Sequence, residues 1–231
     1  MFKKQVDKPQ NNVRHLVAKI NPKSPISEQY RTLRTNIQFS SIDKKIQTLL
    51  LTSSEPSAGK SMSAANLAIV YAQQGMKTLL IDADMRKPTM HYTFRMDNLT
   101  GLSNALVDNL SFEAIAKSFD VDDLYIIPSG PIPPNPSELL SSNRFTDLLN
   151  EAKEVFDMII IDTPPLLAVT DAQILASKLD GAIIVARSNQ TEVEQLKQAV
   201  ELINKVGGNL IGAVLNDVEK KDSNNYYYYG R

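Results

Sequence analysis

Short apolar runs without polar alternation recur along the 231-residue chain: TLLLTS (48–53), KTLLID (77–82), LYIIPSG (124–130), MIIIDTPP (158–165), GAIIVA (181–186) and NLIGAVLN (209–216). A strand that is apolar at successive positions must bury both faces, which is the condition inside a parallel sheet covered by helices on each side. Between the runs lie segments rich in Ala, Leu, Gln, Glu and Lys, at 60–74, 136–153, 170–178 and 191–206, which read as helices. The alternation predicts an α/β fold: a doubly wound, mostly parallel sheet flanked by helices, with ligands meeting the carboxyl ends of the strands. Ahead of the sheet, Ser24 and Pro25 supply an N-cap and a first-turn proline. Ile26, Tyr30, Leu33 and Ile37 follow at near-helical spacing, so a further helix is expected over 25–39.

The two ends differ from this core. Residues 1–23 carry Lys3, Lys4, Lys8, Arg14, Lys19 and Lys23 against Asp7 alone, and are read as a basic flexible arm, either simply solvated or touching an anionic surface or acidic partner. After Asn216 the chain becomes polar and ends in Tyr226, Tyr227, Tyr228, Tyr229, Gly230 and Arg231, a composition that builds no core. The expected organisation is therefore arm 1–23, domain 24–216 and flexible tail 217–231. A net charge of -1 gives no pull toward nucleic acid, and the absence of cysteine excludes disulfides, thiolate metal sites and a cysteine nucleophile. The apolar runs reach about six residues, far short of the roughly 20 of a membrane helix, so a soluble cytoplasmic protein is expected.

Three motifs fall at strand ends. SEPSAGKS (Ser54–Ser61) follows the first strand and opens a helix, the setting in which backbone N–H groups cradle a phosphate chain, a lysine reaches its outer oxygens and a hydroxyl meets Mg²⁺. Ser54 stands where the usual pattern has its first glycine. IDADMR (Ile81–Arg86) ends the second strand with two aspartates that can face one crevice, and IIIDTPP (Ile159–Pro165) ends another in Asp162, as in a Walker B strand. Each alone is also compatible with an ordinary strand-ending turn.

Together with the tyrosine-rich end, these motifs resemble the bacterial tyrosine kinases of capsule and exopolysaccharide systems, in the free-standing form whose membrane-spanning activator is a separate protein. The stretches EQYRTLRTNI (Glu28–Ile37) and GPIPPNPSELL (Gly130–Leu140) are similar to that family too, so the resemblance covers nearly the whole chain. It implies a P-loop NTPase-like fold, ATP and Mg²⁺ as cofactors, and nucleotide contacts from Ser57, Ala58, Gly59, Lys60, Ser61 and Met62. Lys60 would neutralise phosphate charge, Asp82 would orient or deprotonate the attacking tyrosine, Asp84 would support it, and Ser61, Asp84 and Asp162 would hold the metal and its waters. Tyr226 to Tyr229 would be autophosphorylated, and Glu28, Arg31 and Arg34 would join copies into a ring whose tails react in trans. An activator with a cytoplasmic segment would bring the protein to the inner face of the membrane, and other protein substrates are compatible with such an enzyme. Family members commonly carry glycine and an acidic residue at positions 57 and 58, where this chain has Ser57 and Ala58. Asn216, at a strand end, is a candidate adenine contact or a turn-forming asparagine. Two other classes share the fold: a partition- or division-site-like ATPase switch, against which Glu55 stands in place of a signature lysine, and a nucleotide-binding regulator without activity.

Overall fold

The computed structural model describes residues 16–40 and 45–219; the four tyrosines of the C-terminal cluster lie outside the described residues. Seven strands form one sheet: β1 (Thr48–Ser53), β2 (Thr78–Asp82), β3 (Lys117–Ser118), β4 (Leu124–Ile127), β5 (Met158–Asp162), β6 (Gly181–Arg187) and β7 (Leu210–Asn216). The order is β3-β4-β2-β5-β1-β6-β7, parallel throughout except for the short antiparallel β3 at one edge.

Alternate residues of each central strand feed two separate cores, as a period of two requires. Leu49, Leu51, Leu80 and Ile160 pack on one face with helix α3 (Lys60–Ala72), whereas Leu50, Leu79, Ile81, Ile159 and Ile161 pack on the other. That second face is covered by α8 (Asn143–Lys153), α9 (Asp171–Ala176) and α10 (Val193–Lys205). Every residue of β1, β2 and β5 is buried, which accounts for their unbroken apolar character. The strand over 209–216 departs from the two-sided burial its sequence suggests: β7 pairs with β6 alone and its residues alternate between half-buried and exposed, because it closes the edge of the sheet.

Helix α2 (Pro25–Phe39) begins where Ser24 Oγ accepts the Ser27 N–H at 3.1 Å, with Pro25 in the first turn, and packs on α3. The helix expected over 136–153 is two helices, α7 (Pro136–Ser141) and α8, because Ser142 adopts an extended backbone and turns its hydroxyl to cap α8 at Phe145 N–H. The basic arm also needs correction over residues 16–23. Leu16 and Ala18 are buried and 17–20 form a short helix, α1 (Val17–Ile20). The Ala18 N–H donates to Asn66 Oδ1 and its carbonyl accepts from Gln73 Nε2, while Lys19 pairs with Asp120. Two small apolar anchors outweigh the charge count there; residues 1–15 lie outside the described residues. Short helices α4 (Met90–Phe94), α5 (Leu102–Val107) and α6 (Phe112–Ile115) complete the connection from β2 to β3.

Candidate active site

The loop between β1 and α3 stands at the carboxyl end of the sheet, and its backbone is shaped for close approach. Ser57 and Gly59 have positive φ angles of 65° and 94°. At Gly59 a side chain has no room, since a Cβ there would come within 2.1 Å of Asn216 Nδ2. Asn216 donates that amide to Ala58 O at 3.0 Å, so the last residue of β7 braces the loop from outside. With its nitrogen so engaged, Asn216 has a role that neither reading of it from sequence anticipates.

Lys60, the first residue of α3, is almost wholly buried and reaches back over the strand ends. Its Nζ lies 3.1 Å from Asp84 Oδ2, 3.7 Å from Asp162 Oδ1 and 3.3 Å from Ser61 Oγ. Burial works against its charge, but the carboxylates of Asp162, Asp84 and Asp82 outweigh burial and raise its pKa. The motif residues Lys60, Ser61, Asp82, Asp84 and Asp162, dispersed over a hundred positions, thus meet in one place. Met62 follows on the first turn of α3, half-buried against the core of that face.

The sheet register places Asp82 and Asp162 side by side on adjacent strands β2 and β5. Both are fully buried. Burial and the neighbouring Asp162 charge push Asp82 up to about 7, against the pull of the Met90 and Thr89 N–H groups. Asp82 Oδ2 accepts from those two amides at 2.9 and 3.0 Å, and Oδ1 from Asp84 N–H at 3.2 Å. Asp82 therefore shapes the loop that follows it as well as standing near the lysine. Asp162 differs: burial raises its pKa against the opposing pull of Lys60, and neither of its oxygens has a protein hydrogen-bond partner among the described residues.

That orphaned carboxylate is the test of fit for a hydrated metal. Among the described residues no three acidic or histidine side chains converge into a protein-only cation cage. Mg²⁺ rarely uses one; it keeps waters and takes phosphate oxygens with one or two protein oxygens. A buried carboxylate without a close hydrogen bond, set between the Lys60 ammonium at 3.7 Å and the Ser61 hydroxyl at the start of a 13-residue helix, suits that coordination style.

Sequence reasoning assigned no role to Arg86, nor to its partners Ser137 and Asp171. Arg86 makes a bidentate pair with the buried Asp171, Nε to Oδ2 at 2.9 Å and Nη2 to Oδ1 at 3.0 Å, and its Nη2 also donates to Ser137 Oγ at 2.9 Å. Ser137 Oγ in turn donates to Asp171 Oδ1 at 2.7 Å. The cluster ties the loop after β2 to the starts of α7 and α9, two residues from Asp84, whose Oδ1 accepts Lys87 N–H at 3.0 Å. Arg86 within IDADMR was the available signal; its partners lie 51 and 85 positions away.

Away from this site, Glu28 and Arg31 pair with each other on α2, and Arg31 also donates to Pro22 O at 2.8 Å. Arg34 donates to Val70 O at 2.7 Å, at the far end of α3. In the single chain these three residues are thus engaged internally, with Glu28 the most exposed.

A family model described as an AAA domain matches residues 47–213. The chain is 48% identical over 217 residues to the tyrosine-protein kinase YwqD of Bacillus subtilis, covering 94% of this chain and 92% of that protein. The crystal structure of the chimerical protein CapA2B2 superposes with a TM-score of 0.86 at 44% identity, covering 89% of this chain and 90% of the other. The kinase domain of Escherichia coli tyrosine kinase ETK does so with a TM-score of 0.86 at 34% identity, covering 94% and 85%.

Proposed function

Since the chain belongs to the bacterial tyrosine-protein kinases of capsule systems, we propose that its active site lies where Lys60 meets Asp84 and Asp162, and that it transfers the γ-phosphoryl group of ATP to Tyr226–Tyr229 of a neighbouring copy. The single observation that carries this reading is the buried lysine at the phosphate loop, flanked by one hydrogen-bonded carboxylate and one without protein hydrogen bonds.

Backbone N–H groups of residues 57–62 hold the phosphates, and Lys60 offsets the charge that spreads over the transferring group. Ser61 directly, with Asp84 and Asp162 through water, would hold Mg²⁺, which when bound supplies charge neutralisation and alignment of the phosphates. The attacking phenol oxygen forms its bond to phosphorus as the bond to the β–γ bridging oxygen breaks. The phenolic proton goes to Asp82 Oδ1, the oxygen with a single backbone donor, and a pKa near 7 suits that task at neutral pH.

Glu28, Arg31 and Arg34 contribute to joining copies into a ring, which for Arg34 requires releasing or sharing the Val70 carbonyl. Each phosphotyrosine adds roughly -1.5 to -2 charges, so a multiply labelled tail is expected to loosen that ring. No helix of the described residues is long and apolar enough to cross a membrane, and membrane recruitment is assigned to the cytoplasmic segment of a separate activator. The role served is control of extracellular polysaccharide synthesis and export.

The test is incubation of the purified chain with γ-labelled ATP, Mg²⁺ and the activator's cytoplasmic segment. Phosphotyrosine at 226–229 is the expected product. Free phosphate alone would identify an ATPase switch, and nucleotide binding without turnover a regulator; either would overturn the assignment. Light scattering before and after labelling checks the ring: an unchanged assembly state would remove the loosening idea.

A further inference from the structure

Helix α3 starts at the phosphate loop, and residues 16–39 hold it along its whole length. In its first turns Ser63 is hydrogen-bonded to Tyr30 of α2, and near its end the Val70 carbonyl accepts Arg34 Nη1 at 2.7 Å. Between these two points lies α1. Both backbone polar groups of Ala18 go to side chains of α3: its N–H donates to Asn66 Oδ1 at 2.9 Å, and its carbonyl accepts Gln73 Nε2 at 2.9 Å. Asn66 and Gln73 are seven positions apart, two turns of helix, which puts both amides on one face. Ala18 is fully buried and Leu16 nearly so, and both pack into the same core as α3. The segment is therefore a strap laid against the helix, with its own polar groups satisfied by that helix.

Asn66 is the point where the strap meets the phosphate loop. It is buried among Ala64, Ala65, Leu67 and Ala68, in a helix interior where asparagine is a poor helix former, so its amide answers a specific demand. That amide is used at both ends, since Oδ1 takes the Ala18 N–H and Nδ2 donates to Met62 O at 2.9 Å. Met62 lies in the same first turn as Lys60 and Ser61. Its carbonyl belongs to the peptide that joins it to Ser63, whose N–H returns to Gly59 O at 2.9 Å. Three hydrogen bonds thus lead from Ala18 through Asn66 to the glycine of the loop.

We propose that Asn66 is a positioning residue for nucleotide binding, and that the segment 16–20 acts through it as a strap that fixes the first turn of α3. The proposal rests on the nucleotide-binding reading of the loop and adds to it the residues that hold the loop in place. Backbone N–H groups of 57–62 grip the phosphates only where the start of α3 puts them. The Lys60 ammonium has its own anchors in Asp84 and Asp162, and its flexible stem keeps them when the backbone shifts. Loosening the strap therefore weakens the grip on ATP and leaves transfer from bound ATP nearly unchanged.

The test uses the full chain with Mg²⁺: a fluorescent ATP analogue reads affinity, and labelled ATP with the activator's cytoplasmic segment reads kcat and KM. Asn66→Ala is expected to weaken the analogue and raise KM about tenfold, with kcat within about threefold of wild type, because ground state and transition state lose the same grip. Ala18→Glu, which has no room at a fully buried position, lifts the strap and should give the same loss. The double variant should bind no more weakly than Asn66→Ala alone, since both changes break one route. Gln47→Ala is the control for a general loss of stability. It removes hydrogen bonds to Lys153 O and Phe156 O at the opposite end of the sheet, so it should lower Tm and leave nucleotide affinity unchanged. Circular dichroism verifies folding; should Ala18→Glu misfold, Asn66→Ala and Gln73→Ala, which frees the Ala18 carbonyl, decide. Asn66→Ala binding within about twofold of wild type, losses at 18 and 66 that add in full, or an equal loss in Gln47→Ala would overturn the proposal. A wild-type chain that binds no nucleotide would overturn the reading beneath it as well, whereas normal wild-type binding with unaffected variants removes the strap alone.

Discussion

Replacing Arg86 by alanine should cost more stability than replacing its partner Asp171, although both changes break the same bidentate pair. The asymmetry comes from what each leaves behind. Asp171 is fully buried, so Arg86→Ala strands a carboxylate whose remaining side-chain donor is Ser137, whereas the Arg86 side chain is 38% exposed and can turn to water when Asp171 is removed. Stranding a buried charge costs about 3–5 kcal/mol, while an exposed pair contributes roughly 0–1 kcal/mol. With Ser137 and the start of α9 still supporting the carboxylate, Arg86→Ala is expected to lose about 3 kcal/mol, and Asp171→Ala about 1–2 kcal/mol. For a chain of this size those losses lower Tm by roughly 6–12 °C and 2–8 °C. The double variant should resemble Asp171→Ala instead of the sum, because the stranded charge is gone. Guanidinium unfolding followed by circular dichroism measures all three. Equal losses in the two single variants, or strict additivity in the double, would refute the reasoning. Because the pair pins the loop two residues from Asp84, the same Arg86→Ala protein should also bind Mg-ATP more weakly, with a raised KM.

Lys60→Met should abolish autophosphorylation, and labelling at the wild-type level would remove the lysine from the mechanism. The substitution also leaves three buried carboxylates without a cation, so the nucleotide-free protein should lose about 2–4 kcal/mol in the same unfolding assay. Gly59→Ala combines a left-handed φ with the contact to Asn216 and should destabilise by about 2–3 kcal/mol. Asn216→Gly relieves the contact but also removes the hydrogen bond to Ala58 O, so Gly59→Ala is compared in the Asn216→Gly background, where a substitution without cost would show that the backbone conformation carries none. Asp82 gives a pH dependence of defined sign. Its folded pKa of about 7 exceeds the ordinary value near 4, so the folded state holds a proton that the unfolded chain releases between roughly pH 4 and 7. That stability is fully present below pH 4 and is lost as pH rises through 7. In EDTA and without nucleotide, Tm should therefore fall from pH 5 to pH 8 and fall less steeply in Asp82→Asn; a slope unaltered by the substitution would show that the Asp82–Asp162 pair does not titrate there.

The central strands were legible because each satisfies its requirement locally: six consecutive buried positions in TLLLTS can hardly be anything else between turn and helix signals. The phosphate loop was legible for a related reason, since Gly59, Lys60 and Ser61 act through a backbone turn and a helix start that are themselves local. Elements whose character depends on a neighbour were not. Leu210–Asn216 has the composition of a central strand and lies at the edge, Ser142 divides one apparent helix by turning its hydroxyl to Phe145, and Leu16 with Ala18 docks a segment that charge alone makes look free. The sequence by itself determined which residues could bind a phosphate and where strands must be buried. Only the tertiary structure decided that Asp82 and Asp162 share a register, so that burial and the Asp162 charge raise the pKa of Asp82, that Asn216 braces Ala58, and that Arg86 finds Asp171. The physical reason is range: propensity and periodicity act over a few residues, whereas Coulomb and hydrogen-bond partners are chosen by proximity in space, after the chain has crossed from strand to strand.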